Sequence, residues 1–242
     1  MSELKPWKTR LDVERLTIGK YKLGEGTIGK VYIGKMWLKG QKPKRVAVKV
    51  FELGAAEQFF GKPEIDEEVI RHYEEAISKL RAAKVPVLKT GFVKHKGQWV
   101  QVQELYGATQ KGSKIIDSRL PDKTINPALI SRETQGQLLD VIAGIINAGL
   151  SPHPDTIGMV QTSKGTRLIV HDLDFLAHTN FIKDSYAADV QESLNRRLER
   201  WVAVFEKAGV KRRTTLRELK KRITHPNGIT ALNHITPWWT RT

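Results

Sequence analysis

Two short stretches constrain the fold more than anything else in the chain. Gly24-Glu25-Gly26-Thr27-Ile28-Gly29-Lys30-Val31-Tyr32 reads as strand, glycine-rich turn and strand. Arg45-Val46-Ala47-Val48-Lys49-Val50-Phe51 is a β-branched run with one lysine inside it. Gly24, Gly26 and Gly29 leave backbone N–H groups bare, so a chain of phosphates can approach closely. A lysine within such a strand is costly unless it meets an anion. Dinucleotide-binding folds share the Gly-x-Gly-x-x-Gly spacing, but there the loop opens a helix. Here Lys30-Val31-Tyr32-Ile33 continues as strand, and the lysine run follows at the distance of a neighbouring strand.

At 242 residues the chain can bury a proper core and hold one or two small lobes. It has no cysteine, which excludes disulfides, thiolate metal sites and a cysteine nucleophile. Met1 to Arg15 is mostly polar and charged, unlike a signal peptide, and no apolar run is long enough to span a membrane. We therefore expect no membrane insertion, and either a cytoplasmic location or delivery into a host cell without a signal peptide. The formal charge of +15 suits an anionic partner such as nucleic acid, and equally suits a lysine-rich solvated surface.

Along the chain, Met1 to Lys20 is a basic lead-in, Tyr21 to Trp37 a hairpin over the glycine turn, and Arg45 to Glu52 the lysine strand. Pro63 to Ala83 has the helical period, with Ile65, Val69, Ile70, Tyr73, Ile77 and Leu80 on one face and acidic residues in the first turn. Gly91 to Lys96 and Gln98 to Glu104 read as two strands joined at Gly97. Lys111 to Asn126 reads as loop with a short helix, and Pro127 to Ala148 as a long helix ended by Gly149. Two strands then turn at Gly165 and lead into His171-Asp172-Leu173-Asp174-Phe175. Ser185 to Ala208 reads as a helix, and a second runs to Ile223 with Thr214 or Thr215 as its cap.

The glycine turn with its lysine strand resembles the protein kinase-like superfamily. Glu104-Leu105-Tyr106-Gly107 resembles its hinge, and Leu150-Ser151-Pro152-His153-Pro154-Asp155 its catalytic loop, with Pro154 in place of the usual arginine. His171 to Phe175 resembles the segment that carries the metal ligand, written here Asp-Leu-Asp. The resemblance runs from about Tyr21 to Phe175 and implies a bilobal α+β fold. Residues 1–107 would form an antiparallel β lobe with one helix and the hinge, and residues 108–242 a reduced helical lobe.

It also implies ATP and Mg²⁺ as cofactors. Gly24, Gly26, Gly29 and Lys49 would hold the phosphates, and Glu104 and Tyr106 the adenine through their backbones. Gln103 would stand at the gatekeeper position. Glu74, best spaced among Glu67, Glu68, Glu74 and Glu75, would pair with Lys49. Asp155 would be the catalytic base above His153, Asp172 the metal ligand, and Asp174 a second one. Phosphoryl transfer fits such residues because it needs positioning and charge neutralisation rather than covalent chemistry. By the family's count Ile157 stands where a lysine is usual and Val160 where a metal-binding asparagine is usual, and neither can do that work.

No activation-segment end follows Phe175, as in the minimal kinases among bacterial effectors, phage and archaeal proteins. The expected activity is transfer of the γ-phosphate to Ser or Thr of a protein substrate, acidic in keeping with the charge. Two alternatives stay open. One is a small-molecule kinase of the aminoglycoside or choline kinase type. The other is a catalytically dead scaffold that binds nucleic acid or a protein through the basic face of Lys207, Lys211, Arg212, Arg213, Arg217, Lys220, Lys221 and Arg222.

Overall fold

The structure, a computed structural model, describes residues 8–26, 28–105, 114–116, 130–162, 165–183 and 187–236. Tyr106, Gly107, most of Lys111 to Asn126, and Pro237-Trp238-Trp239 lie outside the described residues. The chain divides into two compact units, Met1–Glu74 with Leu88–Lys111, and Glu75–Val87 with Gly112–Thr242. The fold class is α+β, with an antiparallel sheet leading and helices dominating the remainder.

The first unit is a five-stranded antiparallel sheet in the order β1-β2-β3-β5-β4. Its strands are β1 (Val13–Gly26), β2 (Gly29–Leu38), β3 (Lys44–Phe51), β4 (Thr90–His95) and β5 (Gln98–Glu104). What reads as a lead-in from Val13 onward is the first half of β1. One face of the sheet buries Leu16, Met36, Val46, Val48, Val93, Val100 and Val102. The period-2 alternation turns Lys49 and Gln101 to the opposite face, where they stand directly across from each other on β3 and β5.

A short helix, α1 (Ala55–Phe60), precedes α2 (Glu67–Ala82). The Asp66 carboxylate accepts the Val69 N–H at 2.9 Å, so α2 starts four residues later than the Pro63 of its periodic pattern. Tyr73 on α2 packs between Phe51, Phe60 and Phe92, with ring centroids 6.1, 6.0 and 5.2 Å away.

The second unit holds a three-stranded sheet of β6 (Lys114–Ile116), β7 (Ile157–Thr162) and β8 (Gly165–Val170), with β8 at one edge. Its helices are α3 (Gln135–Asn147), α4 (Asp174–Lys183), α5 (Ala187–Lys207), α6 (Arg212–Arg222) and α7 (Pro226–Ile235). The Gln137 side chain of α3 continues the ladder past β8. Its amide donates to the Thr166 carbonyl, and its oxygen accepts the Leu168 N–H, both at 3.3 Å. The Val170 N–H donates to the Pro86 carbonyl at 2.8 Å on the same edge.

Lys211, not Thr214 or Thr215, stands at the N-cap of α6; Thr215 is buried inside the helix. Asn147 splices α3 to the α6–α7 link, donating to the Arg222 carbonyl and accepting the Thr224 and His225 N–H groups. Among the described residues no helix is long and apolar enough to cross a membrane.

Candidate functional site

In the first unit the glycine turn closes the β1–β2 hairpin, with Gly26 opposite Gly29 and Gly24 opposite Val31. Its three glycines do different work. A Cβ on Gly29 would collide with the backbone of Val50 and Phe51, so Gly29 is required by strand packing. A Cβ on Gly24 would meet nothing within 4 Å. A Cβ on Gly26 would stand 3.9 Å from the Lys49 ammonium. The space beside that cation is therefore kept clear by the missing side chain. Lys49 itself is only 6% exposed. Lys30, next along the turn, is tied to Glu52 and Glu25 on the surface.

The four glutamates of α2 fall on different sides of the helix. Glu74 turns to the flank that faces Arg10, and both its oxygens accept from that guanidinium, at 3.0 and 3.1 Å. Glu67, seven residues earlier on the same flank, takes Arg10 at 2.9 Å and Lys94 at 3.2 Å. Glu68 is held by Lys62 at 2.7 Å, and Glu75 is exposed. The expected Lys49 partner, Glu74, is thus engaged by an arginine that no local pattern announces, 64 residues upstream. That contact holds the Arg10 guanidinium above its ordinary range, the Glu74 hydrogen bond being the largest cause.

At the end of β5 the Glu104 N–H donates to the Lys89 carbonyl at 2.9 Å. Tyr106, the other expected hinge contact, lies outside the described residues. Gln103 donates to the Thr90 hydroxyl at 3.3 Å, and Thr90 in turn donates to the Leu88 carbonyl.

In the second unit Pro154–Thr156 forms one 3₁₀ turn after an extended His153. The His153 Nδ1 accepts the Asp155 N–H at 3.3 Å and stands 3.7 Å from the Asp155 carboxylate. The imidazole is stacked on the Phe175 ring, centroids 3.6 Å apart and planes within 13°. This is the packing role expected of His153. The His171 N–H donates to the Thr156 carbonyl at 2.9 Å, so the start of the Asp-Leu-Asp segment is tied to the residue after Asp155. Gly158 makes room for this: a Cβ there would stand 2.6 Å from the His171 ring.

Asp172 accepts the Asp174 N–H at 3.0 Å and so also shapes the entry to α4. Asp174 is the first residue of α4 and 2% exposed. Among the described residues no group of three or more His, Asp or Glu is arranged to hold a metal. The donor set still fits Mg²⁺, which is commonly bound through one or two carboxylates with substrate phosphates completing the octahedron. Ile157 and Val160, at the positions where a lysine and an asparagine are usual, are buried core residues of β7.

Sequence reasoning missed what holds the turn. Trp201 on α5 is fully buried and donates its indole N–H to the Pro152 carbonyl at 2.8 Å. One turn earlier, Arg197 reaches the Ser151 carbonyl at 3.5 Å and lies over the Phe175 ring, 5.6 Å from its centroid. Two side chains at helical spacing thus address two consecutive carbonyls ahead of Asp155. The signal was present as Arg197 and Trp201, spaced i and i+4 at the border of the apolar stripe of α5.

No protein family matches the chain by sequence, and no curated protein matches it. Among solved structures, the chain is similar to a Helicobacter pylori proinflammatory kinase, CtkA, at 11% identity and a TM-score of 0.46. The alignment covers 94% of this chain and 100% of that one. At that score and identity the likeness assigns neither fold nor activity.

Proposed function

We propose that this chain is an ATP-dependent phosphotransferase that moves the γ-phosphate to a Ser or Thr hydroxyl of a protein. The observation that carries this reading is Gly26, bare of a side chain where a Cβ would stand 3.9 Å from the ammonium of a buried lysine. A cation withdrawn from water beside a cleared backbone suits a chain of phosphate oxygens.

In this reading Lys49 donates to the α- and β-phosphates, and the Gly24–Gly26 backbone lies along them. The Glu104 and Tyr106 backbones take the adenine. Asp155 orients the acceptor hydroxyl and accepts its proton, while His153, pinned on Phe175, keeps the turn in place. Asp172, with Asp174, would hold Mg²⁺, which when bound neutralises charge on the transferring group. Removing one such electrostatic group costs about 3–4 kcal/mol of barrier, roughly a thousandfold in rate. Glu74 would reach Lys49 only after release from Arg10.

The test is Mg²⁺-dependent transfer of label from γ-labelled ATP, comparing the native chain with Asp172→Ala. Label on protein, absent with the variant, is the expected result. Label on aminoglycosides or choline-like amines in place of protein would move the chain to the small-molecule kinases. Transfer to nothing at all would reject the enzyme.

One observation favours the scaffold alternative. Lys207, Lys211, Arg213 and Lys220 have no carboxylate within 4 Å among the described residues, as a nucleic-acid surface would require. Binding of an RNA or DNA oligonucleotide that collapses as salt rises, with no phosphate transfer, is its signature.

A further inference from the structure

Helix α5 carries Arg197 and Arg200 at i and i+3, which places them about 60° apart on the helix surface. The pair borders the buried face of Val190, Leu194, Leu198 and Trp201. Neither has a carboxylate within 4 Å among the described residues; Arg196, on the far side of Arg200, has Glu192 at 3.7 Å. Arg197 is partly buried, and among the described residues its sole hydrogen bond is the 3.5 Å contact to the Ser151 carbonyl. A guanidinium has five donors in a fork, so most of its capacity is unused. The same guanidinium lies over the Phe175 ring, on which His153 is stacked, so the open donors stand beside the turn that carries Asp155.

The desolvated charge is expensive. Burial, with Arg200 and Arg196 close by, holds the Arg197 pKa down to about 10. Burial, with Arg197 next to it, likewise holds His178 on α4 below its ordinary value. A partly buried cation with one long bond to a carbonyl, a ring face and no carboxylate is costly, and such costs cluster at functional sites.

We propose that Arg197 and Arg200 form an oxyanion site that recognises an acidic acceptor polypeptide beside the Ser151–Asp155 turn. The ligand chemistry is a carboxylate or phosphate taken in the Arg197 fork, with Arg200 reading a second acidic group next to it. The two Cα atoms rise only about 5 Å along the helix, a step that long side chains can match to acidic groups at alternate residues of an extended peptide, roughly 7 Å apart. Two cations, one of them sunk against the turn, are few for a nucleic acid, whose binding commonly rests on about six to ten phosphate contacts. This assigns the substrate class of the proposed kinase and rests on that reading for the role of the turn. It places recognition of the acceptor on α5 and not on the basic α6.

The experiment measures binding and transfer separately. Fluorescence anisotropy follows three serine peptides, one flanked by glutamates, one by phosphoserines and one by neutral residues. They are titrated against the native chain, Arg197→Gln, Arg197→Lys, Arg200→Gln and, as a charge control, Arg196→Gln. The acidic peptides should bind the native chain tenfold or more tighter than the neutral one. Arg197→Gln should erase that preference, and Arg197→Lys should restore it only in part, since an ammonium lacks the fork. Arg200→Gln should weaken it, whereas Arg196→Gln, which removes the same charge beside Glu192, should keep most of it. Removing a charge-assisted hydrogen bond is worth about 10- to 100-fold in affinity. The glutamate and phosphoserine arms tell the two sources of oxyanion apart.

Arg197→Met gives up the Ser151 bond and the Phe175 cation contact along with the charge, so its melting temperature is read first. If it melts lower, the Arg200 variant, read against Arg196→Gln, carries the test. Equal binding of acidic and neutral peptides overturns the proposal. So does a preference that all variants keep, or an oligonucleotide that binds this pair more tightly than peptide. Arg197-dependent binding of acidic peptide without any phosphate transfer keeps the site and removes the kinase. Transfer to protein with no preference for acidic peptide keeps the kinase and removes the site.

Discussion

Gly26 and Gly29 stand three residues apart in one turn and predict opposite outcomes. Gly26→Ala should leave folding nearly intact, because a Cβ there would meet the Gly29 carbonyl at 3.8 Å and the Lys49 ammonium at 3.9 Å, both ordinary contacts, while weakening nucleotide binding. Gly29→Ala should do the reverse, destabilising the fold by about 1–3 kcal/mol as the new methyl pushes on the Val50 carbonyl. Thermal melting with and without Mg²⁺-ATP separates the two. The sequence showed all three glycines as equals, because spacing records where side chains are missing and not what occupies the gap. The same limit applies to Glu74. The α2 periodicity finds the buried face through Val69, Ile70 and Tyr73, but which flank meets Arg10 depends on chain 64 residues away.

At the scale of elements, long periodic stretches were legible. The strands β2 to β5, the α2 face and the α5 stripe all follow from alternation or from the 3.6-residue period. Short elements were not: α1, α4, α7 and the three-residue β6 offer too few turns or alternations for a period to show. The candidate site divides the same way. Lys49, Asp155 and Asp172 sit in recognisable contexts, while Trp201 and Arg197 reach the turn from 46 or more residues away. Trp201→Phe should cost about 1–3 kcal/mol by leaving the buried Pro152 carbonyl unmet, and should lower transfer further than its melting temperature suggests.

Helix α6 offers a pH test. Hydrogen bonds from Lys221 and Arg222 hold the Glu218 carboxyl down to about 2. A depressed carboxyl stabilises the fold above its unfolded value and loses that contribution as pH falls through the folded one. The melting difference between the native chain and Glu218→Gln should therefore hold at pH 7, shrink below about pH 4.5 and close near pH 2. A difference that stays flat across that window would show that the pairing does not persist in solution.

For the whole molecule, the charge of +15 acts as a field rather than as a set of contacts. Association with any acidic partner should weaken as salt rises, whereas stabilisation by Mg²⁺-ATP should persist, since a buried lysine is less screened than exposed ones. At a nucleotide concentration about 100 times its dissociation constant, mass action predicts about 2.7 kcal/mol of added stability, read as a rise in melting temperature. No rise at saturating nucleotide would count against the whole phosphotransferase reading.

The Gln137 amide on β8 has a consequence outside catalysis. A small sheet that ends in a strand with unpaired N–H and C=O groups is a template for a second chain to add to. Here the Thr166 carbonyl and the Leu168 N–H are spent on one glutamine, and the Val170 N–H on Pro86. Gln137→Leu would keep the helix and uncover that margin. The native chain should stay dispersed at concentrations where the variant turns cloudy or seeds fibres, so one amide governs how this protein behaves in a crowd of its own copies.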